Sequence, residues 1–470
     1  MKKNALLIFV LLPLICSVAH AKIILPAILS DHMVLQQKDS VKIWGWTTST
    51  RETLRIWGSW GGDTVQAKAA LGRWEASILT PPAGGPYTLT ISGHQQKVIQ
   101  DILIGEVWLA SGQSNMEMKL DSSSEGMPGV TNFRREIQEA DYPEIRLFKA
   151  HRRYAPSPQI DLEGEWVTCT PQDIVQHSAV AYYFSRMLYD SLKVPIGSVL
   201  SSWGGTPAEV WTRTESVMAD SVLAQTAPKT MGKESPQGPG ILFNAMIHPL
   251  IDFTFRGIIW YQGESNRSRY QTYRRNMEVL IQNWRREWGY ALPFYFVQIA
   301  PYDYSTRESP CGCFIREAQL QNMDIPHTGM VVTADVGDML NIHPPRKRQV
   351  GERLAFWALA KDYGYEELAY SGPIYRGYEV KGNKIHISFD HVGKGLEIKG
   401  DQLLEVEIAG EDQQFYPAKA RIKNDNLIIS HPQVARPVAV RYGFKDTDQM
   451  NLFNVDGLPA SPFRTDTWEK

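Results

Sequence analysis

The sequence predicts an α/β protein, a three-layer α/β/α sheet domain with flanking β-sandwich-like regions. Three observations lead there. Short strands punctuated by turn residues fill the first hundred residues, apolar strands alternate with amphipathic helices from Asp101 to about Tyr370, and short strands return after Gly372. Strand alternating with helix buries a parallel sheet under helices on both faces, whereas strand-only stretches pack as sandwiches. A chain of 470 residues also exceeds the size at which a single core usually stops growing, so more than one domain is expected.

Residues 1–21 read as a secretory signal peptide: Met-Lys-Lys, an apolar stretch from Ala5 to Val18, then Ala19-His20-Ala21. Cleavage after Ala21 makes the mature chain secreted or periplasmic. The apolar run is too short to span a bilayer, and no later segment approaches the roughly 20 apolar residues a spanning helix needs. Residues 22–100 carry the N-terminal β-sandwich domain, with strands at Val41, Ile43 to Trp46, Leu54 to Trp57, Trp74 to Leu79 and Tyr87 to Ile91, and Pro81 to Pro86 as a breaker.

Residues 101–370 form the sheet domain. Tyr270 to Trp288 places Met277, Leu280, Ile281, Trp284 and Trp288 at helical spacing. His177 to Leu192 and Arg346 to Tyr363 read the same way. Glu117 to Tyr142, polar and glycine-bearing, reads as a mobile loop. Residues 371–470 are a C-terminal β region packed on the sheet domain, with strands at Lys384 to Phe389, Leu404 to Ile408, Ala418 to Ile422, Leu427 to Ser430 and Val438 to Tyr442.

Four polar blocks each follow an apolar strand. Val107 to Ala110 runs into Ser-Gly-Gln-Ser-Asn-Met, where Gly112 lets the backbone turn and leaves the Ser114 hydroxyl at a strand end. Ile196 to Leu200 runs into Ser-Ser-Trp-Gly-Gly-Thr-Pro, Gly257 to Tyr261 into Gln-Gly-Glu-Ser-Asn, and Met330 to Ala334 into a segment holding Asp335, Asp338 and Ile-His-Pro-Pro-Arg-Lys. Open α/β sheets gather such loops at the carboxyl edge of their strands. A serine presented there is a nucleophile only if a base takes its proton and donors hold the oxyanion.

The blocks Gly-Gln-Ser-Asn-Met, Ser-Trp-Gly-Gly-Thr-Pro, Trp-Tyr-Gln-Gly-Glu-Ser-Asn and Ile-His-Pro-Pro-Arg-Lys, with Leu242 to Leu250, resemble those of the sialate O-acetylesterases within the SGNH hydrolase superfamily. The resemblance spans roughly residues 23 to 460, and acetylxylan esterases share much of the pattern. It implies a serine esterase that removes O-acetyl groups from carbohydrate, foremost from O-acetylated sialic acid, by way of an acetyl-enzyme.

Ser114 is then the nucleophile and His343 the base, with His248 as its rival or as a pocket residue. The orienting group stays open. The superfamily's aspartate lies three residues before the histidine, where this chain has Leu340. Either Asp338 (or Asp335) bends back to His343, or a main-chain carbonyl serves and the centre is a Ser/His dyad. The expected oxyanion donors are the N–H of Ser114, that of Gly205 or Gly204, and the Gln262 amide. Glu264, Asn266 and His248 are expected at the substrate.

No cofactor is implied, and no ligand spacing marks a metal site. A formal charge of −2, or −4 without Lys2 and Lys3, offers no basic surface for nucleic acid. Cys169, Cys311 and Cys313 leave an odd number in the mature chain, so no complete disulfide framework is implied; Cys311-Gly312-Cys313 reads as a loop or as making a single bridge to Cys169. Fourteen tryptophans and twenty tyrosines suit stacking on sugars. They also allow a reading of another class, a carbohydrate-binding protein with an inactive esterase-like centre.

Overall fold

The computed structural model describes residues 22–122, 126–228, 236–305, 312–447 and 449–468. Residues 1–21, and with them the signal-peptide expectation, lie outside the described residues.

One strand organises the middle of the chain. Gln96–Gly112 is 17 residues long, and every residue from Ile102 to its end is buried. Its first half pairs with Gly84–Ser92 and Val34–Gln36 of the N-terminal region. Its second half lies between Ile196–Ser202 and Gly257–Tyr261, parallel to both. Beyond these neighbours the sheet continues through Tyr142–Ala150 and the antiparallel edge Gly164–Cys169 on one side, and through Phe294–Val297 and Thr328–Val331 on the other. The expected boundary at residues 100/101 therefore falls inside a continuous strand.

Alternate residues of these strands enter different cores, as a period of two requires. Leu109, Val199, Ile258 and Phe294 join one apolar cluster, and Trp108, Leu200, Ile259 and Tyr295 another. Over the second lie helices Ala179–Leu192 and Lys347–Asp362, so close that a Cβ on Gly351 would come within 2.6 Å of Val180 O. Ser178 caps the first of them by accepting from the N–H of Ala181 at 3.1 Å. Helix Tyr270–Trp288 covers the other face and ends at Gly289, φ +80.

The two strands beside the central one end level with it. Gly112 is in register with Ser202 on one side and Tyr261 on the other. The polar blocks after all three strands therefore leave the sheet from one row, which brings Ser114, the Gly204–Gly205 turn and residues 262–266 together.

The structure corrects two expectations. Glu117 to Tyr142 is not simply a loop, because it holds helix Phe133–Gln138 and buries Met118, Leu120, Val130 and Ala140. Cys169 is free and buried, so it forms no bridge; Cys313 is disulfide-bonded, to a partner outside the described residues. Among the described residues the C-terminal region comprises two four-stranded sheets and a short strand pair. It is pinned to the middle of the chain by Gln298 Nε2 donating to Ser461 Oγ at 2.9 Å and by a two-pronged Arg464–Glu317 pair at 2.7 and 2.8 Å.

Gly112 has φ +137, and a Cβ there would lie 2.2 Å from Tyr261 O. Gly289 also has positive φ, but open space around it. Gly289→Ala should cost about 1 to 2 kcal/mol, the left-handed penalty alone. Gly112→Ala should cost about 3 kcal/mol or more, because a steric overlap with backbone is added. Urea unfolding of the two variants measures the difference.

Candidate active site

The chain leaves the sheet at Gly112, and Gln113 N donates to Tyr261 O at 3.0 Å. One helical turn follows, Ser114–Glu117, with Met116 and Glu117 donating back to Gln113 O. The turn holds the half-buried Ser114 with its hydroxyl toward the loop before helix Lys347–Asp362. There His343 Nε2 lies 2.9 Å from Ser114 Oγ. The backbone N–H of His343 donates to Asn341 Oδ1 at 2.8 Å, which fixes the loop.

The backbone of Gly126 also contacts the imidazole. His343 is held well below the usual imidazole value, at about 4, first by burial and then by the ammonium of Lys347, with the Gly126 contact opposing both. Near neutral pH the ring is therefore unprotonated, the form that can accept a proton from Ser114.

Neither aspartate reaches His343. Asp338 Oδ1 accepts from the N–H groups of Leu340 and Asn341 and so closes its own turn. Asp335 is clamped by Arg353 through two bonds of 2.7 Å. Leu340, at the position of the superfamily's acid, is 93% exposed.

Several residues expected at the oxyanion or the sugar are instead committed inward. Gln262 is fully buried, and its amide donates to Thr206 O at 3.2 Å and Asn266 Oδ1 at 2.7 Å, while its Oε1 accepts from Tyr273. Both N–H bonds are spent, so none points to an oxyanion. Asn266 accepts from Gln262 and Ala208 N and donates to Glu209. His248 Nδ1 meets the Gln159 carbonyl at 2.9 Å, a tie between loops. Among the described residues no group of three His, Cys, Asp or Glu side chains could hold a metal ion.

Glu264 lies beneath the nucleophile. Its Oε1 accepts from Asn115 Nδ2 at 2.6 Å, and the same amide donates to Ile342 O at 3.0 Å. Asn115 Oδ1 accepts from Lys347 Nζ at 2.6 Å, and Lys347 also donates to Pro344 O at 2.9 Å. Asn115 thus ties the residue after Ser114 to the residues on both sides of His343. Burial raises the Glu264 carboxyl above its usual range and lowers the Lys347 amine to about 7; attraction between the two opposes each shift. Sequence reasoning quoted Asn115 and Lys347 within their blocks but assigned them no role. The first residue of a polar helix start reads as solvated, and no spacing signal marks it as buried.

Gly204 stands against the nucleophile, where a Cβ would come within 3.2 Å of Ser114 Cβ. Its N–H donates to Glu117 Oε2 at 2.9 Å, so the Gly204 N–H is committed to that carboxylate. Glu117 is paired with Arg152 at 2.5 Å, and that guanidinium lies 5.7 Å over the Trp203 ring, beside the half-exposed Tyr154. An aromatic and cationic rim therefore borders Ser114, chemistry suited to the faces and polar groups of a sugar.

Residues 104–360 match the family model described as "Carbohydrate esterase, sialic acid-specific acetylesterase". The human sialate O-acetylesterase is 30% identical over 93% of this chain and 91% of its own length, and that of Pongo abelii 29% identical over the same shares. A crystal structure of a carbohydrate acetylesterase from Xanthomonas citri is similar with a TM-score of 0.86 at 37% identity, covering 95% of this chain and all of that one. The chain belongs to the carbohydrate esterase family of sialic acid-specific acetylesterases and is an O-acetyl carbohydrate esterase.

Proposed function

We propose that the chain deacetylates O-acetylated sialic acids with a Ser114–His343 dyad oriented by the main-chain carbonyl of Gly126. The observation that carries this reading is the 2.9 Å contact between His343 Nε2 and Ser114 Oγ. His343 takes the serine proton as Oγ adds to the acetyl carbonyl carbon. It returns that proton to the departing sugar oxygen as the ester C–O bond breaks. Water, deprotonated by the same imidazole, then releases acetate from Ser114.

The N–H of Ser114, in the first turn of its helix and without a carbonyl of that helix to bond, serves as one oxyanion donor, with Gly205 as the second. Asn115, Lys347 and Glu264 act as positioning residues. The human relative's name and the Arg152, Trp203 and Tyr154 rim support sialic acid as the sugar. Rates on O-acetylated sialic acids compared with acetylated xylo-oligosaccharides test that assignment; faster hydrolysis of the xylan fragments overturns it. We also place the mature chain, from Lys22, outside the cytoplasm. The disulfide at Cys313 supports this, because disulfides persist where the surroundings are oxidising.

Ser114→Ala and His343→Ala should each abolish esterase turnover, and the double variant should cost little more than either alone. Asp338→Asn should retain most of the activity, because its carboxylate serves its own turn. A triad aspartate would instead cost roughly ten-thousandfold in kcat. Kinetics with circular dichroism on each variant decide.

Because the base must be unprotonated, kcat/KM should rise with pH through the His343 value of about 4 and stay level toward neutrality. In Lys347→Met the imidazole no longer faces a buried ammonium. The acid limb should then move to higher pH, by less than the full displacement, since burial is the larger cause. Profiles on a small acetyl ester read this shift directly.

N-terminal sequencing of the protein recovered from outside the cytoplasm should begin at Lys22.

A further inference from the structure

The four-stranded sheet Ile374–Lys381, Lys384–Asp390, Asn426–Ser430 and Lys419–Lys423 presents one face to the core and one outward. Ile385, Ile387, Leu427 and Ile429 fill the inner face. On the outer face, cross-strand rows are set by register. One runs Lys381, Lys384, Ser430, Lys419; the next Glu379, His386, Ile428, Arg421; the third Gly377, Ser388, Asn426, Lys423. The bulge at Tyr375/Gly377 and the missing side chain of Gly377 leave this face hollow, a concavity of about 890 Å³. That volume is within the range of ligand clefts.

The charge of the hollow departs from that of the chain. Arg376, Lys381, Lys384, Arg421 and Lys423 line it against the single carboxylate of Glu379, in a protein whose formal charge is −2. Glu379 is paired with Lys381 at 2.8 Å, and Arg376 meets Asp390 at 3.6 Å. Lys384, Arg421 and Lys423 form no ion pair among the described residues. Like charges gathered on one face repel, and a bound polyanion relieves that repulsion. Ser388, Asn426 and His386, between the cations, supply hydrogen-bonding groups for hydroxyls.

We propose that this face binds a carboxylate-bearing glycan chain and so holds the enzyme on the polymer whose esters it cleaves. The choice of a carboxylated sugar rests on the sialic acid reading above, while the cationic hollow stands independently of it.

The test is retention of the full mature chain on immobilised colominic acid, a polymer of sialic acid without acetyl esters, at 50 and 200 mM salt. Wild type should bind, more weakly at the higher salt. Lys384→Ser/Arg421→Ser/Lys423→Ser should bind at least tenfold more weakly yet hydrolyse 4-nitrophenyl acetate at the wild-type rate. The single variant Arg421→Glu should weaken binding likewise, should the triple variant fold poorly. No retention of wild type, or equal retention of folded variants, overturns the proposal. Equal binding to double-stranded DNA or to phosphatidylglycerol vesicles replaces the glycan with polyanions at large. Because colominic acid carries no ester, binding and the substrate assignment succeed or fail separately.

Discussion

The Asn115 carboxamide is the contact on which the site depends. It accepts from Lys347 Nζ and donates to Glu264 Oε1 and to the Ile342 carbonyl. Three strand-following blocks, distant in sequence, are thereby locked at one point below Ser114. A buried amine and a buried carboxyl are costly alone, and a bridging amide lets each find a partner without direct contact between them. The arrangement holds two loops in fixed relation, which is what a serine and an imidazole 2.9 Å apart require.

The same field acts on the chemistry. Burial first, and then the Lys347 ammonium, which disfavours a second positive charge nearby, keep His343 neutral far below the usual imidazole range. A base of low pKa accepts a proton less readily, and a charge beside it opposes the imidazolium that forms in the reaction. On the proposed mechanism, compensation falls to the carbonyl of Gly126. The site trades intrinsic basicity for a base that is present over a wide range of pH.

Much of this was legible in the chain. Apolar runs marked the strands at Ile196 and Gly257, and the spacing of Met277, Leu280, Ile281 and Trp284 marked a helix observed from Tyr270 to Trp288. The order of the four blocks brought Ser114 and His343 to the same place. What failed was side-chain direction. Gln262, Glu264 and Asn266 sit in one polar block, and nothing in their spacing says that all three turn inward, because buried backbone groups such as Thr206 O demand partners that only the fold reveals. Lys347 was missed for the same reason. The cationic sheet face was hidden by arithmetic, since a net charge averages over surfaces that a strand register separates.

The proposed orienting group is a peptide carbonyl, and that changes what heredity can do to it. Any codon at position 126 encodes a carbonyl. Gly126 has φ +71 and no described residue within 4 Å of the Cβ a replacement would add, so among the described residues a replacement meets torsional strain but no collision. Loss of an acid by single-nucleotide change, the ordinary route by which a triad decays, has no counterpart here. Deletions or insertions that reroute the segment around residue 126 are the changes that could disarm the imidazole while leaving both reacting side chains encoded. A search for inactive descendants among its relatives should therefore compare the length of this segment before it compares residues.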